Sequence, residues 1–183
     1  MELRTPRLCL DALRAEDAEA LFGYRADPAV SRYQGWRPAS LAEVRDFIER
    51  QAHAPPEAPG RWVQRAIRRR DGGALIGDLG LHLPADADGA VEFGITIAPA
   101  WQGRGYAGEA LREVFGQLFG PLGHRRVLAS VDPRNAASMA LLRSLGMRQE
   151  AHHRESLRLH GEWVDDVVFA LLAREWPGQR LAH

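Results

Sequence analysis

Apolar and polar positions alternate over Arg7–Ala12 and then recur at helical spacing over Asp17–Tyr24, which predicts a half-buried strand followed by an amphipathic helix. Ser40 and Glu43 have the spacing of a capping box ahead of Val44, Phe47 and Ile48, so a second helix is predicted to run to about Ala52. The three prolines of His53–Gly60 end it. Three strand-like stretches follow, Trp62–Arg69, Ala74–Leu83 and Ala90–Ile97, joined by the turn-forming segments Arg70–Gly73 and Pro84–Gly89. Connections this short favour antiparallel neighbours. Beyond Gly105, residues Ala107, Ala110, Leu111, Val114 and Leu118 trace one face of a helix that ends near Gly120-Pro121. Arg126–Val131 is again strand-like, Asn135–Leu145 is helical until Gly146, and strands at about Arg148–Leu157 and Glu162–Leu172 close the pattern. The expected architecture is one mixed α/β (α+β) domain over residues 1–183, an antiparallel meander followed by a strand–helix–strand unit.

A chain of 183 residues buries roughly 70% of its unfolded surface, enough for a core without staples. Its 24 basic and 24 acidic residues cancel, so nothing global steers it toward nucleic acid or an anionic membrane, and an anionic ligand needs a local site. Cys9 is the single cysteine and reads as a half-buried strand residue. No apolar run approaches the roughly 20 residues of a membrane helix, and the expectation is a soluble, cytoplasmic protein. The seven histidines lack a ligand spacing, so no metal site is expected. The arginine-rich run Arg65–Arg70 reads as a solvated edge strand rather than a nucleic-acid patch.

The segment Trp101-Gln-Gly-Arg-Gly-Tyr-Ala-Gly108 lies between a strand and a helix and places glycines at 103, 105 and 108. The first N–H groups of a helix lack intrahelical partners and the macrodipole puts partial positive charge beside them, so such a turn seats a pyrophosphate in a neutral protein. Glycine lets the anion approach those donors closely. The same residues satisfy G-x-G-x-x-G, and Asp132 falls near the place of a ribose-binding acid, which raises a dinucleotide-binding alternative. Against it, five residues separate Ile97 from Gly103, and about 100 residues of different organisation precede the motif.

Gln102, Gly105 and Ala107 meet the Gln/Arg-x-x-Gly-x-Gly/Ala pattern, and the segment resembles the coenzyme-A signature of the GNAT acetyltransferase superfamily. The likeness extends to Glu92–Pro99, to Val131–Ser138 with Leu141–Met147, and to Gly161–Asp166. With Arg4–Leu8 and Pro38–Ser40 these are similar to the RimJ/RimL-type branch, named for acetylation of ribosomal-protein amino termini. The resemblance implies a GNAT fold, a twisted and mostly antiparallel sheet flanked by helices, and acetyl-CoA as cosubstrate with an amine acceptor. It is also compatible with a homodimer.

By this resemblance Ile95, Thr96 and Ile97 lend main-chain groups to the pantetheine arm, Gln102, Gly103, Arg104, Gly105, Tyr106, Ala107 and Gly108 hold the pyrophosphate, and Asn135 bonds the arm near the thioester. Asn135 also reads as a plain N-cap, and the two roles are compatible. The implied reaction is direct attack of a neutral amine on the thioester, which needs a base and a donor for the departing thiolate. The resemblance makes Glu92 the first candidate base, directly or through water, since some family members carry a catalytic glutamate on this strand about ten residues before the signature; alternation sets it opposite Phe93, and it also reads as a solvated strand carboxylate. Glu162 is a second candidate. Many relatives carry a tyrosine seven residues after the asparagine, a position occupied here by Leu142, which leaves Ser138 as the candidate donor. Trp36, Glu162 and Trp163 are candidates for the acceptor cleft, and acceptor specificity is assigned to Ser31–Trp36 and the closing strands. An acyl-CoA-binding sensor without transfer activity is the alternative from a different class.

Overall fold

The computed structural model describes residues 2–53, 59–85 and 89–177. Most of the turns expected at His53–Gly60 and Pro84–Gly89 therefore lies outside the described residues. In chain order the elements are β1 (Leu3–Arg4), β2 (Leu8–Ala12), α1 (Ala18–Arg25), α2 (Pro28–Ser31), α3 (Leu41–His53), β3 (Trp62–Arg69), β4 (Leu75–His82), β5 (Val91–Ile97), α4 (Tyr106–Phe119), β6 (Arg126–Val131), α5 (Ala136–Ser144), β7 (Arg148–Leu159) and β8 (Glu162–Leu172). The short β1 and α2 carry too few residues to show a period, and the sequence pattern missed both. Asp27 caps α2 by accepting from Ala29 N–H at 2.8 Å, with Pro28 in its first turn.

The eight strands form one sheet in the order β1-β2-β3-β4-β5-β6-β8-β7. Every neighbouring pair is antiparallel except β5 and β6, which α4 connects as a parallel crossover. The mixed α/β architecture, mostly antiparallel, is the one the sequence pattern implied. A doubly wound parallel sheet, which the dinucleotide alternative requires, is not what these residues build.

Each face of the sheet buries its own apolar layer. On one, Ala110, Leu111, Val114, Phe115 and Leu118 of α4 pack on residues such as Leu10, Ile76, Phe93, Val127 and Phe169. On the other, α1 and α3 set Leu21, Tyr24, Val44 and Ile48 against Ala66. Helical periodicity predicts these stripes because a face repeating every 3.6 residues must be covered to leave water.

The Arg65–Arg70 run is not a solvated edge. β3 is the third of eight strands, and the Arg68 side chain is buried, bonded to Asp11 at 2.8 Å and to Asp17 at 2.5 Å. Arg69 lies over the Trp101 ring at 4.6 Å. Periodicity registers only that arginine is polar; the partners lie more than 50 residues away. Ser40 accepts from Glu43 N–H at 3.2 Å as a capping box requires, but the Glu43 carboxylate turns to Ala39 N–H and to the Trp36 indole, each at 2.9 Å.

Candidate active site

The parallel pairing of β5 and β6 spans only two positions, Val91 opposite Val127 and Glu92 opposite Leu128. Beyond it β5 continues to Ile97 along β4 and β6 to Val131 along β8 without pairing to each other, so the strands splay and β5 presents main-chain groups to an open wedge. The wedge holds a cleft of about 490 Å3, lined by Ile95, Thr96 and Ile97 of β5, by Gln102, Gly103, Gly105, Tyr106, Ala107 and Gly108, and by Asn135 and Ser138. At its narrow end a chamber of about 190 Å3 is lined by Phe93, Gly94, Ile95, Asn135, Ser138 and Leu142, among others.

Two backbone reversals shape the turn at the mouth, Gly103 at φ +72° and Gly105 at φ +78°, conformations that cost a side-chain-bearing residue about 1–2 kcal/mol. α4 starts directly after Gly105, and Glu109 N–H makes the first intrahelical bond, to Gly105 C=O at 3.0 Å. The N–H groups of Tyr106, Ala107 and Gly108 precede that bond at the positive end of the helix, an arrangement able to seat an anion. The Gln102 amide does not aim at this seat; it donates to Ile97 C=O at 2.8 Å and clasps the strand end to the turn. Arg104 lies over the Trp101 ring at 5.0 Å, while its carbonyl accepts from Arg7 at 3.1 Å. Arg7 also covers the Tyr106 ring at 4.5 Å and pairs with Glu109 at 2.5 Å. Arg7 and Glu109, absent from the sequence-derived site, thus brace the turn from behind; their only sequence signal is an acid in the first turn of α4.

Asn135 caps α5, its Oδ1 accepting from Ser138 N–H at 3.1 Å, and both residues line both chambers. Leu142 is buried and lines the narrow chamber. Glu92 sits where the β5–β6 pairing ends, on the face opposite Phe93, whose ring meets Phe115 of α4 at 5.2 Å. Burial raises the Glu92 carboxyl above the usual range, with Asp166 pushing the same way and His82 opposing. His82 is its cross-strand partner on β4, and Asp166 accepts a hydrogen bond from Ser130 of β6.

The other acceptor candidates lie apart. Trp36 stacks on Phe47 with ring centroids 4.4 Å apart and donates to Glu43, anchoring the segment ahead of α3. Glu162 and Trp163 open β8, with Trp163 63% exposed, and neither lines the cleft. Tyr33 and Gln34 line it instead; they fall in the Ser31–Trp36 stretch, but a lone tyrosine and glutamine carry no motif. Among the described residues no three His, Cys, Asp or Glu side chains gather as a metal site, and no helix is long and apolar enough to cross a membrane.

The splayed pair of parallel strands with a helix N-terminus at its mouth is an open cleft suited to an elongated ligand with an anionic end, and the sequence places the chain in a family. The chain belongs to the acetyltransferase (GNAT) domain family, which it matches over residues 7–148, and is by that membership an N-acetyltransferase. It is 30% identical over 177 residues to the uncharacterized N-acetyltransferase p20 of Bacillus licheniformis, covering 96% of this chain and 98% of that one. The ribosomal protein uS5-alanine N-acetyltransferase of Escherichia coli is 33% identical over 91 residues, 49% of this chain and 47% of that one. Among solved structures, a GNAT-family acetyltransferase from Bacillus anthracis superimposes with a TM-score of 0.85 at 23% identity, covering 96% of this chain and 100% of that one. The spermidine N-acetyltransferase of Vibrio cholerae, solved with CoA and spermine, gives 0.78 at 20% identity, covering 93% and 98%. At those identities the structural likeness is one of fold.

Proposed function

We propose that this protein transfers the acetyl group of acetyl-CoA to a primary amine by direct attack within a ternary complex, as one acetyltransferase domain of the cytoplasm. The observation that carries the reading is the two-residue β5–β6 pairing, which leaves β5 open beside the seat at Gly103–Gly108. In that arrangement Ile95–Ile97 offer main-chain partners to the pantetheine amides and the α4 N-terminus takes the pyrophosphate. The spermidine enzyme's complex with CoA supports this use of the fold.

Glu92 is the proposed base. Glu92 lines neither chamber, but it is half-buried at the last β5–β6 pair, at the closed end of the wedge, from which it would act through water, and its raised pKa brings its proton affinity closer to that of an amine. An α-amino group of pKa 7.7–8.0 is neutral in roughly a third of molecules near pH 7.5, whereas a lysine amine is neutral only at about the 0.1% level. A carboxylate base therefore suits an α-amino acceptor best, and the relative that acts on a ribosomal-protein alanine is consistent with it. Leu142 closes the place of a tyrosine donor, so Ser138 is the proposed group to meet the departing thiolate.

The test compares thermal shifts with acetyl-CoA, CoA, ATP and NAD at matched concentrations. Ligand at 100 times its dissociation constant adds about 2.7 kcal/mol, a shift of roughly 5–11 °C for a domain of this size. A shift confined to acetyl-CoA and CoA is expected; a shift with NAD alone would return the glycine turn to the dinucleotide reading.

A further inference from the structure

Gln34, on the segment between α2 and α3, lines both the wide and the narrow chamber and so stands at their junction. Its amide is held from behind. Arg25 Nη1 donates to Gln34 Oε1, and Thr96 Oγ1 of β5 donates to the same oxygen at 3.1 Å. Arg25 is itself fixed: buried, it donates through Nε to Asp78 Oδ1 at 3.1 Å and through Nη2 to Oδ2, and Tyr24 also donates to Asp78, at 2.8 Å. A guanidinium can only donate, so the Gln34 oxygen must face Arg25. Both acceptor sites of that oxygen are then filled, and the two N–H donors are what the amide has left to offer. Among the described residues they have no protein partner.

On the transferase reading, on which this inference rests, the wide chamber takes the coenzyme arm and the narrow chamber holds the acyl end, so the thioester carbonyl lies at their junction. The amine lone pair adds to the carbonyl carbon and the C=O π pair moves onto oxygen. That addition forms the C–N bond; the amine proton passes to Glu92 through water, and collapse of the adduct returns the oxygen pair to the C=O as the C–S bond breaks and the thiolate leaves, taking up a proton from Ser138. Negative charge thus appears on one oxygen where an N–H donor is already oriented by a buried ion pair. We infer that Gln34 is a catalytic residue that donates a hydrogen bond to the thioester oxygen and stabilises the oxyanion formed on attack. Preorganisation by Arg25 and Thr96 is what a donor of this kind requires, since reorienting a loose amide would cancel the gain. Loss of one such donor lowers kcat by about 10²–10³.

The experiment uses the full chain with Gln34→Met, which keeps length and apolar contacts but removes the amide, and Thr96→Val, which removes one of the two donors that hold the amide and leaves Arg25 in place. Two quantities are read: kcat with a saturating amine, and the infrared carbonyl stretch of bound acetyl-CoA labelled with carbon-13 at the acetyl carbonyl. The expected result is a kcat loss of about 10²-fold for Gln34→Met and a smaller one for Thr96→Val, with acetyl-CoA affinity changed less than about threefold. The carbonyl band of the bound wild-type complex sits below that of Gln34→Met, with Thr96→Val between them. An unchanged band in Gln34→Met overturns the inference even where kcat falls, because a structural role alone would slow turnover without touching the carbonyl. A band and a kcat that both stay at wild-type values overturn it outright. Wild-type protein that neither binds nor consumes acetyl-CoA sinks the transferase reading, and the role of Gln34 with it; wild-type turnover beside an unaltered Gln34→Met band sinks only the latter.

Discussion

On the proposed reading, the coenzyme half of the cleft is made of main chain, whereas the acceptor half relies on side chains gathered from distant segments. Gly103, Gly105 and the first turn of α4 sit within six residues of one another, and their donors are set by backbone φ and the start of a helix. Gln34 and Thr96 line the cleft, while Glu92 and the fully buried Asp78 stand behind it; they come from the α2–α3 segment, β5 and β4, and each is placed by a partner in another element. A backbone-built site tolerates drift in its surroundings and serves any ligand with the same phosphate arm. A side-chain-built site changes with each substitution, and the proposed reading puts acceptor choice there.

Four substitutions test this contrast. The largest effect is expected for Glu92→Gln, a fall in kcat of about 10²–10⁴ with acetyl-CoA affinity nearly intact, read by steady-state kinetics and titration calorimetry. Loss of coenzyme affinity in parallel would break the division between the halves. The wild-type rate should climb as pH rises through a carboxyl value above the ordinary glutamate range, and the variant should lack that limb. The sign for stability is opposite. A carboxyl whose folded pKa is raised contributes stability below its unfolded value and loses it as pH rises through the folded one, so Glu92→Gln should melt no lower than wild type at neutral pH.

Next in size is Asp78→Ala. It strips a fully buried carboxylate from Arg25, Tyr24 and Gln64, and leaving a buried cation unpaired costs about 3–5 kcal/mol, measurable by urea unfolding. Gly105→Val follows, with strain of about 1–2 kcal/mol in the φ +78° turn and coenzyme affinity weakened about tenfold or more, while kcat at saturation holds. The smallest is Gln102→Leu, which removes one bond to Ile97 C=O and should weaken CoA by about 0.5–1.5 kcal/mol. If Gln102→Leu proved worse than Gly105→Val, the glutamine would be a phosphate ligand and the clasp reading would fail.

The same contrast explains what could be read from sequence. Element positions were legible because strand alternation and the α4 stripe are local patterns, and the anion seat because its glycines lie within one turn of a helix start. Arg68 and Arg25 were illegible as buried cations, since the carboxylates that neutralise them, Asp11, Asp17 and Asp78, lie more than 50 residues away. Trp36 drew notice as a large aromatic, although it serves α3 through Phe47 and Glu43, while Gln34 two residues earlier was covered only by the general assignment of Ser31–Trp36. Exposed Trp163 shows the converse: residue type suggested a site, and the hairpin geometry leaves it outside the cleft.

The central claim, transfer from acetyl-CoA to an amine at the β5–β6 wedge, is tested most directly by thiol release measured side by side for wild type and Glu92→Gln. The amines would be a peptide with a free alanine amino terminus, spermidine and lysine. The account predicts amine-dependent thiol release by wild type, greatest with the peptide, with an acetylated product of matching stoichiometry and a rate at least about a hundredfold lower for Glu92→Gln. Tight binding of acetyl-CoA with no amine-dependent release from wild type would contradict it and leave a coenzyme-binding module in its place.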